Sequence, residues 1–247
     1  MILKRFSERL RAQDWVAVAI ELAVVVAGIL LALQVDQWAS DRAERQRERA
    51  YLERLADDLR AEQDGVRAAE TFARNRLEAV SLLEAIARGE RVDSEPPRIP
   101  WAVETASWRS FPKTNAYVVN ELQASGQMGL LRSVALRNAL ADHYAQIAHF
   151  GRVAEDLSAQ QRYDAAVAGL LTTRELAALE ETGGGIDALS TDGARAEAIA
   201  VRFAASDAAI RELPGIAQHH LFNLRVMAEM EARIDSLLAI IERELDR

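Results

Sequence analysis

The stretch Glu21–Trp38, ELAVVVAGILLALQVDQW, decides how the rest of the chain is interpreted. In the 18 residues from Val16 to Leu33, Glu21 is the only charged residue. About 20 apolar residues, at ~1.5 Å each, cross the ~30 Å hydrocarbon layer of a bilayer. Trp15 and Trp38 bracket the run about 34 Å apart along a helix, which is the spacing of two interfacial aromatic belts. We therefore interpret residues 15–35 as a transmembrane helix, with Trp15 and Trp38 as interfacial anchors.

Two other interpretations of the apolar run stay open from the sequence. A cleaved signal peptide needs small residues near its cleavage site, but here Gln34 and Asp36 follow the apolar core. A buried core helix would also be apolar on every side. A retained single-pass helix is the interpretation that we expect to hold.

The orientation of this helix follows from the basic residues on its two sides. Four basic residues precede the run, namely Lys4, Arg5, Arg9 and Arg11, whereas three arginines lie within the 15 residues that follow Leu33. Because positive charge favours the cytoplasmic side, residues 1–14 are expected to form a short cytoplasmic tail. The bulk of the chain would then lie outside the cytoplasm.

Glu21 is the unusual feature of the predicted span. Glu21 and Gly28 are seven residues apart and share a helix face with Val35, and Ala32 lies beside them. Small residues on one face let two membrane helices approach closely. The hypothesis is that Glu21, Gly28 and Ala32 mark a surface for helix pairing. The alternative is a carboxylate tolerated near the interface, on a helix that faces lipid.

After the span the helix is expected to continue as a long extramembrane helix over residues 36–88, ending at Gly89. Apolar residues recur at three-and-four spacing: Leu52, Leu55, Leu59, Val66, Ala69, Ala73, Val80, Leu83 and Ala87. Glu62 and Arg76 interrupt this seam, which favours packing in a bundle over a strict coiled coil. Ion pairs four residues apart are predicted for Asp41–Arg45, Arg49–Glu53 and Arg54–Asp58.

The remainder is predicted as a connection rich in proline and tryptophan, residues 89–115, followed by further helices over residues 116–247. In the connection we expect a short helix near Val103–Trp108, held onto the bundle by Trp101, Trp108, Phe111 and Tyr117 or lining a ligand pocket with them. The fold class is all-α: an N-terminal transmembrane helix that continues into a long amphipathic helix of an antiparallel bundle.

Local signals predict the boundaries of the later helices. Thr114 or Asn115 is expected to cap a helix that runs to about Ala124, and Ser133 a helix that continues through Gly151 to Leu171. Thr172 and Glu175 form a predicted capping box for a helix that ends near Gly183–Gly185. Residues 192–212 are predicted as a helix stopped by Pro214. The last helix carries a buried stripe: Met227, Met230, Ile234, Leu237, Ile241 and Leu245.

Composition narrows the functions. The net charge of −8 argues against a nucleic-acid partner, which needs a basic surface, and the absence of cysteine excludes disulfides and thiolate sites. His143, His149, His219 and His220 lack the spacing of a metal site, and no phosphate-binding loop occurs. We therefore predict no catalytic residues, no metal and no cofactor, and we do not expect an enzyme.

Three stretches carry a resemblance to a known family: IELAVVVAGILLALQVDQW (residues 20–38), RERAYLERLADDL (residues 47–59) and AYVVNELQASGQMGLLRSVALRNALADHY (residues 116–144). They resemble a family of uncharacterised single-pass inner-membrane proteins of bacteria. The resemblance implies that Glu21, Gln34, Val35 and Trp38 match residues that the family tends to keep, whereas Asp36-Gln37 departs from its pattern. It implies a location in the bacterial inner membrane, and because the family has no established activity it adds nothing about catalysis.

The expected function is that of a membrane-anchored helical interaction or scaffold module in the bacterial envelope. Its expected partners are the lipid bilayer and either a second copy of the chain or an envelope protein. The alternative is an extracytoplasmic sensor subunit that binds a small ligand and acts through a partner protein.

Overall fold

The computed structural model describes residues 2–90, 98–112, 114–153, 157–181 and 193–246, without the side chains at 2–14, 16–18, 152–153 and 178–181. The described residues form eight α-helices and no strand, so the predicted all-α class is confirmed. The helices are α1 (Ile2–Ala87), α2 (Arg98–Thr105), α3 (Tyr117–Ala124), α4 (Val134–Val153), α5 (Ser158–Val167), α6 (Thr173–Glu181), α7 (Gly193–Ala204) and α8 (Asp207–Leu245). A 3₁₀ turn at Met128–Leu130 joins α3 to α4.

Helix α1 is one unbroken helix of 86 residues, roughly 130 Å long. It ends close to the predicted position. Gly89 has a φ of 69°, its N–H donates to Ile86 O, and the Glu90 N–H donates to Ala85 O. These two bonds form a Schellman motif, which needs a left-handed residue that glycine supplies without strain. The predicted tail, residues 2–14, already belongs to this helix.

Helices α1 and α8 pack antiparallel and form the frame of the bundle. Gln63 Nε2 donates to Asp235 Oδ1 at 2.7 Å, and Arg67 pairs with Glu231 at 2.8 Å, so the two helices run in opposite directions. One apolar cluster, the proximal cluster, joins Leu52–Ala69 of α1 to α3, α4 and Val226–Ile241 of α8. A second, the distal cluster, joins Ala79–Ile86 of α1 to α2, α5, α7 and Ala209–Ile216 of α8.

The apolar seam predicted for α1 matches the buried face of that helix. Leu52, Leu55, Leu59, Val66 and Val80 are all buried. Glu62 and Arg76 are buried in the same row, at 0% and 4% exposed. The stripe of α8 is buried from Met227 to Ile241, and Leu245 packs partly against it. Three-and-four spacing therefore located the core of both long helices.

Two of the three ion pairs predicted on α1 are wrong. Arg49 and Glu53 pair at 3.2 Å as expected. Arg54 reaches across to Glu121 of α3 instead, at 2.5 Å, and Asp41 and Arg45 form no ion pair within the described residues. Where the bundle brings a charged residue of another helix close, an arginine can pair with that residue rather than with one four positions away. Spacing along a single helix does not reveal such a partner.

The predicted cap of α3 is also wrong. Its N-cap is Ala116, which has no side chain to accept a hydrogen bond, so neither Thr114 nor Asn115 caps the helix. Asp58 of α1 takes over this role, because its Oδ2 accepts from the Val118 N–H at 2.9 Å. The first turn of α3 is thus bonded to α1 rather than to its own flanking residues.

For the other short helices, the predicted caps are confirmed, whereas the predicted helix lengths are not. Ser133 Oγ accepts from Leu136 N at 3.3 Å, and Thr172 and Glu175 form the predicted box, each accepting from the backbone N–H of the other. The predicted helix from Ser133 to Leu171 is in fact two helices, α4 and α5. In the connection, α2 begins earlier than expected, at Arg98. The predicted end at Gly183–Gly185 lies outside the described residues.

The prediction that Pro214 stops a helix is wrong. Helix α7 ends at Ala204, Ser206 accepts from Ala209 N as the N-cap of α8, and Pro214 lies inside α8. A proline inside a helix loses one backbone bond and costs about 3 kcal/mol. Leu213 and Ile216 are buried in the distal cluster on both sides of it, and their burial offsets that cost.

The cap from Asp58 can be tested against its neighbour Asp57. Asp58→Ala should lower the free energy of unfolding by about 1 kcal/mol, because α3 loses its N-terminal acceptor. Asp57→Ala should change it by less than about 0.5 kcal/mol, since Asp57 pairs with Arg60 on the surface. Urea denaturation of the detergent-solubilised protein, followed by circular dichroism, measures both. Equal losses in the two variants would contradict the cap.

Candidate functional site

The apolar part of α1 is not covered by any described part of the bundle. An 18-residue window within it has a mean hydropathy of 2.1, and none of that window is buried. Its large apolar side chains are between 45% and 76% exposed, Trp15 and Trp38 included. This is the one helix, among the described residues, that is long and apolar enough to cross a membrane.

The three residues predicted to pair helices lie on this uncovered segment. Glu21, Gly28 and Ala32 are exposed. A Cβ atom added at Gly28 would meet nothing within 4 Å. These residues share a helix face that no described element covers, so their pairing role stays a prediction.

The first buried polar pair joins α1 to α4. His143 Nε2 lies 3.0 Å from Glu62 Oε1, and the two side chains are 1% and 0% exposed. Glu62 Oε2 and His143 Nδ1 have no hydrogen-bond partner among the described residues. The ring of Tyr144 stands edge-on to the His143 ring, with centroids 5.0 Å apart. Burial raises the pKa of the Tyr144 hydroxyl, and the nearby carboxylates of Glu62 and Asp58 add to the rise.

A buried arginine lies between the two apolar clusters. The Arg76 guanidinium donates to Thr105 Oγ1 at 2.8 Å and faces the rings of Phe72, Trp101 and Trp108 at 4.3, 4.7 and 5.7 Å. No carboxylate of the described residues pairs with it. Burial lowers its pKa to about 10, which leaves it charged at neutral pH. The negative ring faces thus stabilise a cation that joins α1 to α2 and to Trp108 just after α2.

Arg76 belongs to a polar layer, which we define as Arg76, Thr105, Ser107, His220 and Asn223, all buried. His220 Nε2 donates to the carbonyl of Ala106 at 2.7 Å, and Ser107 Oγ donates to Asp164 Oδ1 at 2.6 Å. Burial lowers the pKa of His220, and the positive charges of Arg76 and Arg109 lower it further, against the opposing effect of the Ala106 bond. His220 is therefore neutral at pH 7.

A cavity of about 330 Å³ opens beside the polar layer. Ser107, Arg109, His219 and His220 line it, together with residues 158–160 at the start of α5. No residue lining this cavity carries a carboxylate. Among the described residues no cluster of three or more His, Asp or Glu side chains is placed to hold a metal ion.

The four aromatic residues predicted to hold the connection onto the bundle differ in burial, and the fourth, Tyr117, is the first residue of α3. Trp101 is 2% exposed and packs in the distal cluster as an anchor, and Trp108 lies over Arg76. Phe111 is 42% exposed, and Tyr117 is 73% exposed. The prediction of an anchored connection therefore holds for the two tryptophans.

The sequence contained a signal for the buried polar residues. Glu62 and Arg76 each fall where the seam calls for an apolar residue, and a charged residue in a buried row needs a partner. Nothing in the sequence identified His143 or the aromatic rings as those partners, because they lie 81 residues and up to 32 residues away along the chain.

No protein-family model matches this chain, and neither the curated proteins nor the solved structures contain a match to it. The resemblance to uncharacterised inner-membrane proteins therefore stays a prediction.

The Glu62–His143 pair predicts a non-additive mutant cycle. His143→Leu or Glu62→Leu alone should lower the free energy of unfolding by about 3–5 kcal/mol, because each leaves a buried polar partner unsatisfied. The double variant should lie within about 1–2 kcal/mol of the wild type, since both polar groups are gone. Urea denaturation in detergent measures the cycle. Additive losses in the double variant would rule out a direct interaction between the two side chains.

The lowered pKa of His220 predicts a loss of stability in mild acid. The unfolded chain binds a proton on His220 as the pH falls through about 6.5, whereas the folded chain resists protonation. The free energy of unfolding should therefore fall between pH 7.5 and pH 5.5. His220→Gln keeps a donor for Ala106 and should reduce this pH dependence. An equal pH dependence in His220→Gln and the wild type would contradict the assignment.

Proposed function

We propose that this chain is a single-pass membrane protein of the bacterial envelope whose helical bundle acts as an interaction or scaffold module. One observation carries the proposal: the described bundle buries its own core but leaves the most apolar segment of the chain uncovered. Hydrocarbon is the environment in which such a segment needs no protein partner.

The energetics favour a bilayer over water for this segment. Burying one large aliphatic side chain contributes about 1.5–3 kcal/mol, and ten such side chains between Ile20 and Val35 are exposed. A helix also satisfies its own backbone hydrogen bonds in hydrocarbon. Trp15 and Trp38 would then lie at the two interfaces.

The orientation rests on the basic residues of the tail. The four basic residues before the apolar run outnumber the three after it, which favours a cytoplasmic N-terminus. Helix α1 would then extend out of the inner membrane and hold the bundle in the periplasm. Since α1 is continuous from the apolar segment to Ala87, the bundle would be held rigidly relative to the bilayer.

The partner that we propose is a second copy of the chain or another envelope protein. A carboxyl group within hydrocarbon favours a polar contact on a neighbouring helix, and Gly28 permits close approach. Glu21, Gly28 and Ala32 would form the contact in a pair of membrane helices.

The alternative function, an extracytoplasmic ligand sensor, is supported by the cavity beside the polar layer. Its volume of about 330 Å³ is at the lower end of small-molecule sites. A sensor would act through a partner protein, and a small molecule that raises the melting temperature would favour it.

Helix pairing predicts a difference between two faces of the membrane helix. Glu21→Leu and Gly28→Leu should weaken self-association by roughly threefold to tenfold in a membrane two-hybrid assay, because they remove a polar contact and fill the point of close approach. Ala23→Leu makes a comparable small-to-large change on a different face and should leave the signal unchanged. Equal signals from all three variants would contradict the pairing surface.

A further inference from the structure

The largest of the described cavities lies where α1 leaves the apolar segment. It has a volume of about 660 Å³ and is bounded by residues 38–52 of α1, by Arg132 before α4, and by Glu244 and Leu245 at the end of α8. We call it the membrane-proximal groove. Trp38 lies at its lower end, so on the proposed function the groove opens onto the membrane surface.

The groove presents both signs of charge. Arg132 is already paired with Glu44 at 3.6 Å and with Glu48 at 3.4 Å. Arg42 lies over the ring of Trp38, with its guanidinium carbon 5.8 Å from the ring centroid. Neither Arg42 nor Arg45 forms an ion pair with any described residue, and the same is true of Asp41. The groove thus holds two arginines and one carboxylate that no described residue pairs with.

The heights of these residues match the headgroup layer. Arg42 and Arg45 lie about 6 Å and about 10 Å beyond Trp38 along the helix axis. The polar layer of a bilayer leaflet is roughly 5–8 Å thick, and an arginine side chain can extend back toward it. Both guanidinium groups can therefore reach the lipid phosphates.

We propose that the membrane-proximal groove binds the headgroup of a zwitterionic phospholipid that carries a primary ammonium, such as phosphatidylethanolamine. Arg42 and Arg45 bind the phosphate, and Asp41 accepts from the ammonium. The acyl chains lie along the apolar segment below Trp38. Asp41 supplies an acceptor for the ammonium, which a headgroup without a cation would leave unused. The inference rests on the proposed membrane location.

The test uses the full-length chain reconstituted into vesicles that contain phosphatidylcholine, phosphatidylethanolamine and phosphatidylglycerol in equal amounts. After flotation, the protein is extracted with mild detergent, and the retained phospholipid is counted by native mass spectrometry. The wild type should retain phosphatidylethanolamine in preference to the other two. The double variant R42Q/R45Q should retain roughly tenfold less of it. R47Q removes the same charge from the same stretch of α1 at a residue that does not line the groove, and it should behave as the wild type.

The outcomes separate the two proposals. Protein that fails to float with the vesicles overturns the membrane anchor and the lipid site together. Protein that floats but retains the three lipids equally overturns the lipid site alone, and so does equal retention by R42Q/R45Q and the wild type. Preference for phosphatidylglycerol, or a protein dimer that depends on Arg42 and Arg45 and retains no lipid, also overturns it. A melting temperature of R42Q/R45Q equal to that of the wild type confirms that the variant is folded.

Discussion

The antiparallel contact between α1 and α8 is the interaction on which the rest of the structure depends. It aligns two long apolar stripes, and α2, α3, α4, α5 and α7 pack beside them, whereas α6 packs against α2. The contact covers only the second half of α1, because α8 ends beside Leu52. The apolar segment of α1 before Trp38 is therefore left exposed by the described part of the chain. The same helix thus meets two environments, and the proposed membrane location follows from that division.

The interior of the bundle is not uniformly apolar, and its buried polar groups occur at two positions along the length of the bundle. The Glu62–His143 pair lies within the proximal cluster, and the polar layer with Arg76 and His220 separates that cluster from the distal one. Such groups add little net stability because desolvation offsets their attraction, and each needs a partner where it is buried. Arg76 is stabilised without a carboxylate, because its guanidinium donates to Thr105 and faces three aromatic rings.

Much of this fold could be predicted from local patterns, and the errors share one cause. The seam of α1, the stripe of α8, the end of α1 at Gly89 and the capping box at Thr172 all depend on residues close together in sequence. The cap of α3, the partner of Arg54 and the passage of α8 through Pro214 depend on contacts between distant segments. Spacing identified Glu62 and Arg76 as charged residues in a buried row, but it did not identify their partners. The membrane-proximal groove could not be predicted either, because it depends on where the end of α8 lies beside α1.

The most direct measurement of the central claim is the fraction of full-length protein that sediments with membranes after an alkaline wash without detergent. The account predicts that this fraction is close to complete, and that a chain lacking residues 1–35 is released into the supernatant. Full-length protein found mainly in the supernatant would contradict it, because the apolar half of α1 would then be covered by something other than lipid.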